Sequence, residues 1–372
     1  MSKLIKSELS KIFHKKIIYL AALIFLILNS INIYNAFQVY DYDLYTIPEE
    51  IQKPISQKIY DNNVKYIESG YNYSQLEDQE KQIINTNTAI TMAKGNQDIY
   101  TEHIKQLEEL ETLKNTNKSS FDYRNTKLQH TLFGKLPKPY IFNENGYTEI
   151  IYYINQYGFV YICILILLGI STMITSEYST NMDSIIKSSK KGKKQFITSK
   201  IIASTIFTFI ITLVFNLFNS IPYFLALDSY GWSIPIQNIG NFLMSPYLLT
   251  IGSYVLVQFL THLLGAIIFS LIVLLISSLC RSILASISIS SAILALPLVI
   301  EQYTYIDGKT PEIINFSLTN ILKAEPLFRN YKTYNILGHP ILYPYLVIGI
   351  YILLIPIIIY LIFYFFRNKQ VY

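Results

Sequence analysis

Five histidines, two cysteines and a few polar side chains set in apolar sequence are the residues whose types could do chemistry here. His14, His103, His130, His262 and His339 are scattered without metal-ligand spacing, and no His-Glu-x-x-His stands among them. No Gly-x-Ser-x-Gly elbow occurs, and no pair of carboxylates sits within an apolar block where acid–base or proton-relay work would need one. Cys163 and Cys280 both fall inside apolar blocks, which offers neither a disulfide framework nor a thiolate metal site. Gly192-Lys193-Lys194 lies in a lysine-rich turn with no strand before it, so no phosphate loop ending in Gly-Lys-Ser/Thr is present. The expectation is a chain with no catalytic residues, no metal and no cofactor of its own.

The remaining polar groups are notable for where they sit. Gln258 and His262 are one helical turn apart in an apolar block, and Gly265 and Ala266 continue that face. Asn216 and Asn219 stand in another. Polar side chains in hydrocarbon are costly and face either a cavity or a neighbouring helix. Gln258, His262 and Asn216 are therefore candidates for lining a path; interhelical hydrogen bonding is the alternative reading.

The elements that carry these residues are apolar blocks. The chain has 372 residues, 51% of them apolar, with a mean hydropathy of +0.32. The blocks reach the length of about 20 residues that crosses a bilayer as helix, which excludes a soluble class. Six spans are expected, at 17–35, 151–175, 200–227, 248–279, 283–300 and 341–366. A basic segment precedes the first, yet no small-residue cleavage site follows it, so a retained span is expected rather than a signal peptide. Abundant Ile, Lys, Asn and Tyr are those of an AT-rich bacterial genome.

Orientation follows from the basic residues near the span ends. Lys3, Lys6, Lys11, Lys15 and Lys16 precede span 1; Lys187, Lys190, Lys191, Lys193, Lys194 and Lys200 lie between spans 2 and 3. Arg281 sits between spans 4 and 5, and Arg367 and Lys369 follow span 6. With six spans all of these fall on one side, predicting a multi-pass protein of the bacterial cell membrane with both termini cytoplasmic. The formal charge of +5 is modest and forms no dense basic stripe, so no nucleic-acid partner is expected.

The opposite side receives residues 36–150, with 17 acidic against 12 basic side chains, then 228–247 and 301–340. Helical patterns dominate 36–150. Pro48-Glu49-Glu50 starts one helix, with Ile51, Ile55 and Ile59 following. Ser74 and Glu77 read as a capping box for a second, running to about Ala93. Gly95-Asn96 breaks it, and Asp98 caps a third carrying Ile104, Leu107, Leu110 and Leu113. From Ser119 to Gly146 the signals are irregular, with turns at Pro137, Pro139 and Asn145-Gly146. The fold class expected is an all-α membrane protein of six transmembrane helices with a mostly helical extracytoplasmic domain between spans 1 and 2. That domain either gates or binds a molecule outside the membrane, or caps the spans passively.

Two segments on the lysine-rich side carry most of the functional argument. In residues 1–16, Ile5, Leu9, Ile12 and Phe13 trace one helical face, while Lys3, Lys6, Glu8 and Lys11 lie largely elsewhere. This is the pattern of an amphipathic helix lying at the lipid bilayer surface. At 176–199, Glu177 marks the membrane exit and a short polar turn follows. Met182, Asp183, Ile185, Ile186, Lys187, Lys190 and Lys194 then make a short helix with an apolar side and charged flanks, which suits docking in a groove of another protein. A structureless positive-inside loop is the plain alternative.

Glu177, the Ser179-Thr180 turn, Ile185-Ile186, Lys193-Lys194 and Lys200 together resemble the cytoplasmic coupling element of ABC-2-type transporter permeases. That family's pattern is an acid ending the second span, a small-residue turn, a short helix, a basic turn and a lysine opening the third span. The family's usual Gly-Thr is replaced here by Thr180-Asn181. The stretch Leu4 to Phe13 is similar to the family's N-terminal interfacial helix, and the amphipathic run around 314–328 to its re-entrant outer helices. The resemblance implies an exporter permease subunit that pairs with a second permease subunit and binds a separate ABC ATPase. ATP and Mg would be held by that ATPase, not by this chain. It further implies an amphipathic peptide or lipophilic cargo, with sodium or small-drug efflux as the nearest alternative. A non-transporting sensor or scaffold is a reading from another class.

Overall fold

A computed structural model describes residues 1–39, 54–56, 78–115, 118–179, 192–307 and 311–368. Helix α1 (Ser2–Phe13) is followed by α2 (Lys16–Val39), α3 (Asp78–Lys114) and α4 (Phe121–Phe133). Helix α5 (Tyr147–Tyr178) contains a π-helical segment at Ile154–Gly158 and an interruption at Ser171. Then come α6 (Gly192–Ala226), α7 (Ile251–Leu279), α8 (Ile283–Asp307) and three short helices, α9 (Glu312–Asn315), α10 (Leu318–Lys323) and α11 (Glu325–Phe328). Strands β1 (Thr333–Ile336) and β2 (His339–Leu342) precede α12 (Tyr343–Asn368).

Six of these helices, α2, α5, α6, α7, α8 and α12, are long and apolar enough to cross a membrane. The chain thus has the make-up of a multi-pass membrane protein, and the six spans expected from sequence are all present. Their limits differ by a few residues: α5 begins at Tyr147 rather than 151, and the fifth span extends to Tyr303.

Burial sorts the spans. In α5, 78% of the apolar window is buried within the chain, and in α7 61%, against 11% for α2 and 17% for α8. The bundle is therefore built around α5 and α7, with α2, α8 and α12 offering apolar faces outward. Helix α7 opens on a capping box in which the Thr250 hydroxyl accepts from Ser253 N–H and the Ser253 hydroxyl accepts from Thr250 N–H. The isoleucines, leucines and phenylalanines that follow pack against α5, α6, α10 and α12.

The segment between the first two spans departs from expectation in three places. Helix α3 runs unbroken through Gly95-Asn96 and Asp98. One glycine in a helix costs only about 1 kcal/mol relative to alanine. Burial of Ala89, Ile90, Ala93, Tyr100 and Leu107 along the same helix, with the Lys94–Asp98 ion pair spanning the glycine, outweighs that. Residues 121–133, expected to be irregular, form α4, capped by Ser120, whose hydroxyl accepts from Tyr123 N–H. Pro54–Ser56 is extended rather than helical: Pro54 bridges Tyr140, and Ile55 N–H donates to the Pro139 carbonyl at 2.9 Å. Proline supplies no N–H, and it disfavours helix in the residue before it. The helix start at Pro48-Glu49-Glu50 and the Ser74–Glu77 box lie outside the described residues.

The all-α expectation also needs one correction. β1 and β2 form an antiparallel hairpin with Thr333 opposite Leu342 and Ile336 opposite His339. Its two-residue turn places Leu337 (φ 52°) and Gly338 (φ 82°) in the left-handed region, matching the right-handed twist of the strands. Hydrogen bonds tie this hairpin and the 228–250 connection to the segment between spans 1 and 2. Arg124 Nη1 donates to the Gly338 carbonyl at 3.2 Å, Tyr100 Oη to that of Leu243 at 2.6 Å, and Asn238 Nδ2 to that of Tyr140 at 2.8 Å. The connections at this end of the bundle form one bonded layer.

Candidate functional site

At the other end, α1 is held against the bundle by charge. Lys200 lies in the second turn of the third span with its side chain fully buried. Its Nζ donates to Glu8 Oε2 at 2.8 Å, to Glu177 Oε1 at 3.3 Å and to the Met173 carbonyl, and it lies 4.4 Å from the Phe196 ring centre. Lys11 Nζ donates to Glu8 Oε1 at 2.8 Å and Glu177 Oε1 at 3.1 Å from a half-exposed position. Two carboxylates and two ammonium groups thus close a ring that joins the N-terminal helix, the end of span 2 and the start of span 3.

Each member sits where helical spacing puts it. Ile5, Glu8 and Ile12 follow at i, i+3 and i+7 on one face of α1. Glu8 is therefore on the buried face, not on the solvent face expected from sequence. Burial alone would push its carboxyl upward; the Lys200 charge and the bonds from Lys11 and Lys200 more than reverse this and hold it below the usual carboxylate value. Burial likewise opposes the charge on Lys11, and the hydrogen bonds it donates to Glu8 and Glu177, with their negative charges, overcome it and raise its ammonium above the usual value.

Packing closes around the ring. Ile12 is buried, Ile5, Leu9 and Phe13 are half-buried, and Phe13 meets Phe207 edge-on at 5.6 Å. A Cβ on Gly169 would lie 2.6 Å from Phe207 Cε1 and 3.4 Å from Ile12 Cγ2, so only glycine lets span 2 approach both. Lys15 donates to the carbonyls of Gly169 (2.7 Å) and Leu168 (3.4 Å) and to the Thr172 hydroxyl, around the point where the span helix is interrupted. Ser277 of α7 enters that interruption. Its hydroxyl donates to the Ser171 carbonyl at 2.8 Å and accepts from the N–H groups of Ile174 and Thr175, each at 3.2 Å.

Of the coupling residues expected from sequence, Glu177 is in the ring and Lys194 is exposed at the start of span 3. Met182, Asp183, Ile185, Ile186, Lys187 and Lys190 lie outside the described residues. The candidate path residues are enclosed. His262 is fully buried with Nδ1 2.6 Å from the Leu322 carbonyl, and Gln258 Nε2 donates to the carbonyls of Ile151 (3.0 Å) and Lys323 (3.4 Å). Both thus bond the C-terminal end of α10, which reaches in against α7 so closely that a Cβ on Gly265 would meet Ile321 Cγ2 at 2.9 Å. Asn216 Nδ2 donates to the Thr212 carbonyl one turn back. The bonds of Gln258 and His262 thus run between elements, whereas that of Asn216 stays within its own helix.

Sequence reasoning passed over Glu8, Lys11 and Lys15 as parts of a site. The available signal was a lone acid at apolar spacing in an otherwise basic helix. No family profile, curated protein or solved structure matches this chain.

Proposed function

We propose that the chain is the membrane-spanning permease subunit of an ATP-driven ABC exporter that works with a separate ATPase and a second permease subunit. The ring of Glu8, Lys11, Glu177 and Lys200 carries this reading. It welds three elements into one unit on both sides of the 180–191 connection, the segment expected to meet the ATPase. A displacement of that connection is then transmitted to spans 2 and 3 together, rather than absorbed by a loose terminus. Membrane orientation in this reading rests on the lysines gathered around the ring, a positive-inside pattern that supports a cytoplasmic ring and an outer layer containing α3 and α4. An amphipathic peptide is the preferred cargo, because apart from Glu177 and Lys200 of the ring no Asp, Glu, Lys or Arg is buried in the described spans.

The test is reconstitution with the candidate ATPase. The wild-type chain should co-purify with it and raise its ATP hydrolysis. Glu177→Gln combined with Ile186→Ala should remove the stimulation while membrane insertion stays normal. Stimulation equal to wild type in that double variant would refute the docking assignment.

A further inference from the structure

A cleft of about 370 Å³ opens between α3, the 140–145 segment and the 236–240 turns. It is a groove rather than a hole. On α3 its lining runs from Asn85 to Asn96 along one face, a length of about 16 Å at 1.5 Å per residue. The facing wall is non-helical backbone over 140–144, already paired through Tyr140 to Pro54. Ala89 and Ala93, packed over Ile55, Ile90 and Ile141, leave room that larger side chains would fill.

The lining chemistry selects among ligands. Carboxamides stand on all three walls: those of Asn96 and Asn145, that of Asn85, that of Asn143, whose Oδ1 accepts from Asn145 N–H at 3.1 Å, and that of Asn238, whose Nδ2 donates to the Tyr140 carbonyl. A carboxamide offers both donor and acceptor, which is what the alternating N–H and C=O groups of an extended peptide require. Among the described residues Glu144 is the one charged lining residue, and none of the lining side chains is basic. Its Oε2 accepts from Gly240 N–H at 2.7 Å, which fixes the carboxylate at the groove. Met92, 62% exposed, supplies an adaptable apolar contact. A sugar stacks on a free aromatic face, and of the two lining rings that of Phe142 is packed against Tyr147 at 5.1 Å, which leaves Tyr140 as the ring that a sugar probe tests.

We infer that this groove binds an extended stretch of basic peptide, about four to five residues at 3.3 Å each, with Glu144 receiving a cationic side chain. This deepens the peptide-export reading and rests on it for the identity of the cargo, but binding itself requires neither ATPase nor transport.

The experiment uses the full chain in lipid nanodiscs without ATPase. Its probes are a fluorescent pentapeptide of alternating lysine and leucine, the glutamate–leucine counterpart, and chitopentaose. The basic peptide should bind, and Glu144→Gln and Met92→Ala should each weaken it, the former by about ten- to hundredfold. Met92 is exposed, so its truncation leaves the core intact. Glu109→Gln, on the same helix away from the groove, should bind as wild type. Equal binding of both peptides, binding of chitopentaose instead, or wild-type affinity in both groove variants would overturn the assignment. Binding is measured without the ATPase, so failure here and failure of ATPase coupling are read separately.

Discussion

Lys200 Nζ lies 2.8 Å from Glu8 Oε2, joining two residues 192 positions apart in a site that excludes water from the lysine entirely. Removing one partner of a buried ion pair leaves the other charge uncompensated, which costs about 3–5 kcal/mol. Lys200→Met should therefore release α1 and sharply lower the Tm in detergent. Lys11, half exposed, should matter far less, on the order of 1 kcal/mol or below when replaced by Met. Thermal unfolding of the two variants checks the order; an equal loss in both would contradict the burial argument.

The docking of α1 should depend on pH in two windows. Glu8 has a depressed pKa in the folded chain, so its contribution is present above the ordinary value of 4.5 and is lost as pH falls through the lower folded value. Lys15 acts in the same direction, but on the alkaline side. Burial, with the Lys200 charge adding to it, pulls its ammonium down to about 8 from 10.5. The folded state then binds fewer protons than the unfolded chain between those values, and docking strengthens as pH rises across that interval. Quenching of a fluorophore on α1 should report both limbs, and Lys15→Met should abolish the alkaline one alone.

Gly169 and Gly349 make a matched pair. Gly169→Ala forces a methyl against Phe207 and should cost about 1–3 kcal/mol by overpacking. Nothing stands within 4 Å of a Cβ at Gly349, so Gly349→Ala should be neutral or stabilise by up to about 1 kcal/mol through helix propensity. Opposite shifts in Tm are the expected result.

Ser277→Ala removes a hydroxyl that serves the Ser171 carbonyl and two backbone N–H groups inside the bundle. The loss should be about 1–3 kcal/mol, the cost of leaving buried polar groups unpaired. Faster hydrogen exchange should appear at Ile174 and Thr175 and not elsewhere in α5. Uniform change along the helix would mean that Ser277 does not secure the interruption.

Several features were legible in the chain itself because they depend on local composition. Six apolar blocks gave six helices long and apolar enough to cross a membrane. Asn145-Gly146 gave a turn, with Gly146 at φ 81° as a left-handed position requires. Helix α3 was divided in error because glycine propensity is a weak local signal, and the burial that overrides it comes from Ile55 and Ile141, distant in sequence.

The ring around Lys200 belongs to the other category. Sequence supplied an acid at the end of span 2, a lysine at the start of span 3 and a lone acid in the basic leading helix. Nothing local says that these three meet, since each charge taken alone is satisfied by water. Only when α1 packs its Ile5–Glu8–Ile12 face against spans 2 and 3 does burial make pairing obligatory. Hydropathy thus determined how many helices are long and apolar enough to cross a membrane and which charges flank them. Tertiary packing decided which of those charges lost their water and had to find one another.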